Sequence, residues 1–328
     1  MQAELVGTTR NPVPSGAVAG YLECNDGVKV RYGRWQCTAE PRLGTVVLLP
    51  GRAEFIEKYF ETITDLRRRG FAVAIMDWRG QGGSSRLLAN RAKGHVESFA
   101  HYDDDLRRFM TEIVLPDCPP PYYCLAHSMG GHIALRSAQT RVSWFDRMVL
   151  VAPMIRFLTK GDNLGIRCAI AEAATLLGLG DFFVPGGSRR PPEATPFEIN
   201  CYTSDRLRFE RAREVIQAAP HLATGSPSIG WVAAACNSMN TIQTLSFMES
   251  VRVPTLIVAA GSDEVVSTDA IELFAMRIKN CTRIVIAGAK HEILQERDEL
   301  REQFWAAFDA FVPGSFRRPR QTEQAVRT

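Results

Sequence analysis

The chain of 328 residues has no stretch approaching the roughly 18 uninterrupted apolar residues that a membrane-spanning helix needs. Its N-terminus has no basic start followed by an apolar run, so no secretory leader is expected. It has no C-x-x-C pair. The eight cysteines, at 24, 37, 118, 124, 168, 201, 236 and 281, are scattered. Neither a zinc site nor a disulfide framework is therefore expected, and the thiols read as reduced and mostly buried, as in a cytoplasmic protein. Excess charge is also lacking: 39 basic against 36 acidic residues leave +3. That balance argues against a dedicated nucleic-acid binder, which shows a clear basic surplus. No internal repeat is present, which removes solenoids and propellers. What the chain has in quantity is apolar side chains, 45% of the total, enough for one large core or a domain carrying an insertion.

Those side chains fall into an alternating pattern. "TVVLLP" (45–50), "FAVAIMD" (71–77), "YYCLAHS" (122–128), "MVLVAP" (148–153), "PTLIVAAGSD" (254–263) and "TRIVIAGAKH" (282–291) are short apolar runs. Such continuity suits strands buried on both faces, as in a parallel sheet. Between the first two, Phe55, Ile56, Tyr59, Phe60, Ile63 and Leu66 recur at helical spacing. Phe99, Tyr102, Leu106, Phe109, Met110 and Ile113 do so before the third, and Leu300, Phe304, Trp305, Phe308 and Phe311 at the end. Strand and helix in alternation predict an α/β domain with a mainly parallel sheet. The opening "YLECNDGVKVRYGRWQC" reads as a hairpin turning at Asn25-Asp26-Gly27.

From about Met154 to Val253 the alternation stops. Apolar residues there form helical groups separated by "PGGSRRPPEATP". This predicts a helical cap over the sheet's C-terminal edge, where open α/β sheets bind their ligands. The expected organisation is core at 1–153, cap at 154–253, core again at 254–312 and a basic tail at 313–328.

"CLAHSMGGHIAL" (124–135) runs an apolar strand into a serine and starts a helix at once. A side chain on such a turn stands at the top of the sheet, and the strained backbone needs small neighbours two residues to either side. Ala126 and Gly130 supply them around Ser128. Serine needs a base, and the base an orienting acid, in the chain order Ser, Asp/Glu, His. Asp263 and His291 end late apolar runs and are expected in those roles, with Glu264 and Asp269 as rival acids. Two backbone N–H groups should hold the developing oxyanion: that of Met129, after the nucleophile, and that of Arg52 in "LLPGRAEF". The remaining histidines, 95, 101, 127, 132 and 221, read as structural or solvated.

Taken in order, "LLPGRAEF", "MDWRGQGGSS", "LAHSMGGHIAL", "VAAGSDEVVS" and "GAKHEILQE" resemble α/β-hydrolases of the bacterial lysophospholipase and monoacylglycerol lipase group, whose relatives include serine aminopeptidases. The resemblance spans about residues 20–312. It implies the α/β-hydrolase fold, the same roles for Ser128, Asp263, His291, Arg52 and Met129, and structural roles for Asp77 and Arg79. The cap looks more like the lysophospholipase subgroup. Two positions depart from the usual pattern: Pro50-Gly51 stands where many relatives carry His-Gly, and Ala126 replaces the first elbow glycine. Neither removes a reacting group.

The function implied is a serine hydrolase that cleaves the carboxylic ester of a single-acyl lipid, a lysophospholipid or monoacylglycerol, through an acyl-enzyme. The cap residues Phe157, Leu158, Leu176, Leu177, Phe182 and Phe183 are the candidate acyl-channel lining. No metal or organic cofactor is implied. The expected partner is a small lipid ester, with weak peripheral membrane contact compatible with a cytoplasmic protein and no nucleic acid; oligomeric state is open. The alternatives are a serine aminopeptidase-type peptidase, which would need a cap acid such as Glu172, Glu193 or Glu198 for an α-amine, a small-ester carboxylesterase, and a non-catalytic binder on a hydrolase scaffold.

Overall fold

The computed structural model describes residues 2–139, 143–159, 161 and 163–314. Its strands are β1 (Val18–Glu23), β2 (Lys29–Trp35), β3 (Gly44–Leu49), β4 (Phe71–Met76), β5 (Tyr122–His127), β6 (Arg147–Val151), β7 (Thr255–Ala260) and β8 (Cys281–Ile286). They form one sheet in the order β1-β2-β4-β3-β5-β6-β7-β8. β1 and β2 pair antiparallel, as does β2 with β4, and every later pairing is parallel. All residues of β3, β4 and β7 are buried. Successive side chains point to opposite faces: Val46 and Leu48 join one apolar cluster, Val47 and Leu49 the other.

Helices cover both faces. On one lie α1 (Phe60–Arg68) and α10 (Asp298–Phe311), whose Phe60, Ile63, Phe304 and Phe308 are buried. On the other lie α2 (Ala100–Phe109), which runs on through Met110–Val114 into α3 (Leu115–Asp117), together with α4 (Met129–Ser137) and α9 (Thr268–Ala275). Between β6 and β7 come α5 (Leu164–Ala174), α6 (Arg206–Ala218), α7 (Ile229–Ile242) and α8 (Leu245–Ser250), with short 3-10 turns and no sheet strand among the described residues. Asp205 and Ser228 cap α6 and α7 by accepting the N–H of Arg208 and Trp231.

Two expectations change. The runs ending in Asp263 and His291 are not strands to their ends, for β7 stops at Ala260 and β8 at Ile286. Both residues therefore sit on loops beyond the edge. The cysteines are not all thiols either: Cys168 of α5 and Cys236 of α7 form a disulfide across a sequence separation of 68. Spacing could not show this pair, because it is made by two helices packing side by side. Four arginines on α6 form ion pairs: Arg208 with Glu61, Asp205 and Asp298, Arg211 with Glu61, Arg213 with Glu210 and Arg206 with Glu198. The tail beyond residue 314 lies outside the described residues.

Candidate active site

Ser128 stands between β5 and α4 with φ 50° and ψ −114°, a conformation that costs a residue with a Cβ of order 1–3 kcal/mol and persists only where the surroundings impose it. Here the Ser128 N–H donates to the Val151 carbonyl at 3.0 Å, and its own carbonyl accepts from Met154 and His132 at 3.0 and 3.1 Å. The crossing of strand and helix explains the glycine two residues on. A Cβ on Gly130 would lie 2.2 Å from the Leu49 carbonyl oxygen and 2.6 Å from that of Pro50. Ala126 is accommodated on the strand side, fully buried.

The loops after β7 and β8 bring their residues to this serine. His291 Nε2 is 3.0 Å from Ser128 Oγ, and His291 Nδ1 is 2.8 Å from Asp263 Oδ2. With Nδ1–H donating to the carboxylate, Nε2 is left to accept the hydroxyl proton. Asp263 Oδ1 accepts the N–H groups of Val265 and Val266 at 2.7 and 2.9 Å. Burial works to raise the Asp263 pKa, but His291 and these two N–H groups outweigh it and hold the carboxyl below its ordinary value. The imidazole's carboxylate is thus Asp263 rather than Glu264 or Asp269. The N–H groups of Arg52 and Met129 donate to nothing among the described residues.

A second layer escaped the sequence reading. His127 Nδ1 is 3.1 Å from Glu54 Oε2, and its Nε2 is 3.1 Å from the backbone carbonyl of His291. Both partners are acceptors, so the ring donates twice and is an imidazolium. Burial alone would lower its pKa, yet the Glu54 charge and the two hydrogen bonds raise it. Burial would raise the Glu54 carboxyl, but His127, Lys58 and the Tyr59 hydroxyl drive it far down. Lys58 Nζ lies 2.6 Å from Glu292, 3.7 Å from Glu54 and 3.7 Å from Glu193 of the inserted segment. Burial lifts the Glu193 carboxyl above its ordinary value despite Lys58. No motif announced this cluster, since its members come from four separate stretches of chain. The other histidines are structural where the contacts show it: His132 is held by the Met154 carbonyl and Ser238, and His95 by Ser228.

A cavity of about 80 Å³ opens at Ser128. Its walls are Arg52, Ala53, Glu54 and His127 from the core, Pro192 and Tyr202 from the inserted segment, and Val265, His291 and Glu292. None of the six apolar residues expected to line an acyl channel is among them. Leu158, Leu176, Leu177 and Phe182 are exposed on the outer surface, and Phe157 packs against Trp231. Apolar character marks a residue for contact with something apolar but does not say which way its helix turns it. A larger cavity of about 540 Å³, walled by Phe197, Arg206, Glu210, Arg213 and Ile216, holds no Ser, Cys or His and is not the reacting centre. Among the described residues no cluster of His, Cys, Asp and Glu is arranged for a metal ion.

A mainly parallel sheet between helical layers, with a serine on a strained strand-to-helix turn and His and Asp on later loops, defines an α/β-hydrolase. Residues 40–298 match the serine aminopeptidase S33 family, and the chain belongs to that family. It is 34% identical over 283 residues to lysophospholipase L2 of Escherichia coli strain K12, covering 84% of this chain and 82% of that one. With the probable lysophospholipase L2 of Haemophilus influenzae the identity is 27%, covering 81% and 83%. Among solved structures, a soluble variant of the Saccharomyces cerevisiae monoglyceride lipase superimposes with TM-score 0.69 at 18% identity, over 92% of this chain and 98% of its own. The Paleococcus ferrophilus monoacylglycerol lipase gives 0.68 at 20% identity, over 87% and 99%. The chain is an ester hydrolase.

Proposed function

We propose that Ser128, His291 and Asp263 carry out acyl transfer from the ester of a single-chain lipid, with residues 154–253 acting as the cap over the site. The observation that carries this is the line of two hydrogen bonds from Ser128 Oγ through His291 to Asp263, at 3.0 and 2.8 Å. Ser128 Oγ attacks the ester carbon while His291 Nε2 takes its proton. The oxyanion is held by the Arg52 and Met129 N–H groups. His291 returns the proton to the departing alcohol, water then attacks the acyl-enzyme with His291 as base, and the fatty acid leaves. Asp263 keeps the imidazole in the right tautomer and stabilises its charged form.

The lipid nature of the substrate is supported by the relatives named lysophospholipase and by the cap surface. Ile166 and Ile170 on α5, with Leu176, Leu177 and Phe182 beyond it, are all exposed. Such a face is suited to lie on lipid, which favours peripheral membrane contact. Among the described residues no helix is long and apolar enough to cross a membrane. The Cys168–Cys236 bond is of a kind that persists best in an oxidising compartment, while the other six cysteines are free thiols. A peptidase would need a carboxylate free to hold an α-amine. Instead Glu193 faces Lys58, Glu198 pairs with Arg206, and Glu172 lies beside Cys168 and Cys236 and is not on the wall of the cavity at Ser128.

The test is kcat/KM for a series of single-chain esters below their micelle concentrations, beside aminoacyl amides. Each buried methylene should add about 0.8 kcal/mol, roughly fourfold, until the binding site is filled. Preference for the amides, or loss of activity as the chain lengthens, would overturn the lipid reading. Absence of fluorophosphonate labelling at Ser128 in the folded protein would overturn the nucleophile.

A further inference from the structure

Arg52 has a side chain as well as the backbone N–H considered above, and nothing so far uses it. The guanidinium is partly buried. Its only hydrogen-bond acceptor among the described residues is the Gly225 carbonyl, which Nη1 and Nη2 share at 3.0 and 3.1 Å. The rest of the group lies over the Trp231 ring, 5.4 Å from the centroid. Burial pushes its pKa down, and no carboxylate is among the groups that act against this. Other buried arginines are treated differently. Arg31 is neutralised by Glu57 and Asp77, Arg79 by Asp26 and Asp105, and Arg301 by Glu61 and Asp65. Arg67 and Arg86 also form no ion pair among the described residues, but neither lines the cavity at Ser128.

Arg52 does line it. The other charges on that wall are already answered: Glu54 by His127, Tyr59 and Lys58, and Glu292 by Lys58. Among the described residues Arg52 is then the one charged residue on that wall with no ion pair. Leaving a guanidinium partly desolvated without a counter-ion is costly. The cost is recovered if an anion arrives with the substrate, and a guanidinium fork matches a phosphate oxygen pair. With the Arg52 N–H holding the ester oxygen as proposed above, the chemistry is consistent: in a lysophospholipid the phosphate is joined to that ester through only the short glycerol unit, so it would lie near the same residue.

We propose that the Arg52 guanidinium recognises the head-group phosphate of the substrate, so that phosphodiester-bearing single-chain lipids are preferred to uncharged monoacylglycerols. The proposal rests on the ester-hydrolase reading above. The readout is selectivity: the ratio of kcat/KM for a lysophospholipid to that for the 1-monoacylglycerol of the same acyl chain. Arg52→Met should lower this ratio on the order of tenfold to a hundredfold, the loss of one charge-assisted pair, and Arg52→Lys should restore much of it. With the monoacylglycerol as substrate, glycerophosphoethanolamine should inhibit the wild-type protein competitively, and more strongly than inorganic phosphate does. That arm needs no variant, so it holds even if Arg52→Met fails to fold. An unchanged ratio in Arg52→Met, with both substrates falling together, would overturn the proposal and leave Arg52 a clamp between Gly225 and Trp231. Inhibition by inorganic phosphate as strong as by the phosphodiester would overturn the head-group assignment in favour of a free-anion site. Wild-type cleavage of monoacylglycerol without lysophospholipid would overturn it as well, whereas cleavage of neither would defeat the underlying function instead.

Discussion

Replacing His127 tests the layer behind the proposed catalytic residues. As an imidazolium it donates to Glu54 and to the His291 carbonyl, and it is almost fully buried. In His127→Asn the amide can stand where Nδ1 stood and keep a neutral hydrogen bond to Glu54, but it cannot reach His291. Glu54 then remains buried with one positive neighbour fewer. Breaking a buried charge pair costs about 3–5 kcal/mol, which for a chain of this size is a fall in Tm of roughly 4–7 °C. The pH dependence is more telling than the size. The folded pKa of His127 is raised, so its contribution is complete below the unfolded value of about 6.5 and is lost as pH climbs through the folded one. The folded pKa of Glu54 is lowered, so its share is complete above about 4.3 and is lost as pH falls through the folded value. The Tm gap between wild type and variant should be widest between about pH 4.5 and 6.5 and close on both sides. Calorimetric scans at fixed rate across pH 4 to 9 measure it. Activity should fall about tenfold or more, because the His291 backbone loses its anchor and small misplacements of a reacting group are costly. A Tm gap that stays constant from pH 5 to 9 would show that His127 carries no charge and would refute the argument.

Ser128→Ala and His291→Ala should each lower ester turnover on the order of 10⁴-fold or more without unfolding the chain, and Asp263→Asn somewhat less; near-normal turnover in folded Ser128→Ala would remove it as nucleophile. Gly130→Ala places a Cβ 2.2 Å from the Leu49 carbonyl oxygen, so it should destabilise by about 1–3 kcal/mol or more and displace the loop that carries Arg52; full stability and activity would show that the crossing can relax. Cys168→Ser with Cys236→Ser opens a loop of 68 residues and should cost up to about 4 kcal/mol, read as a lower denaturant midpoint that reductant reproduces in the wild type; an unchanged midpoint would mean the bond contributes nothing.

The sheet was legible because strands buried on both faces must be apolar throughout, and β3, β4 and β7 are buried at every residue. That Ser128, Asp263 and His291 lie close together was foreseeable, because the loops leaving one edge of a parallel sheet lie on the same side. What failed was orientation and pairing. Leu176 and Leu177 were apolar enough to suggest a channel, but only the helix rotation shows that both face outward. Cys168 and Cys236 are brought together by the packing of α5 on α7, and Glu54 and His127 by an approach of β3's loop to β5's end. These are distances through space, and no local pattern encodes them.

The disulfide also bears on the wall of the reacting centre. It makes residues 168–236 a closed ring, and Pro192, Glu193 and Tyr202 lie on that ring. The part of the ring that walls the cavity at Ser128 is tied to the core as well: the Tyr202 carbonyl accepts the Glu292 N–H at 2.8 Å, and Glu193 faces Lys58. That wall is therefore fastened twice, covalently within the inserted segment and non-covalently to the loop that carries His291.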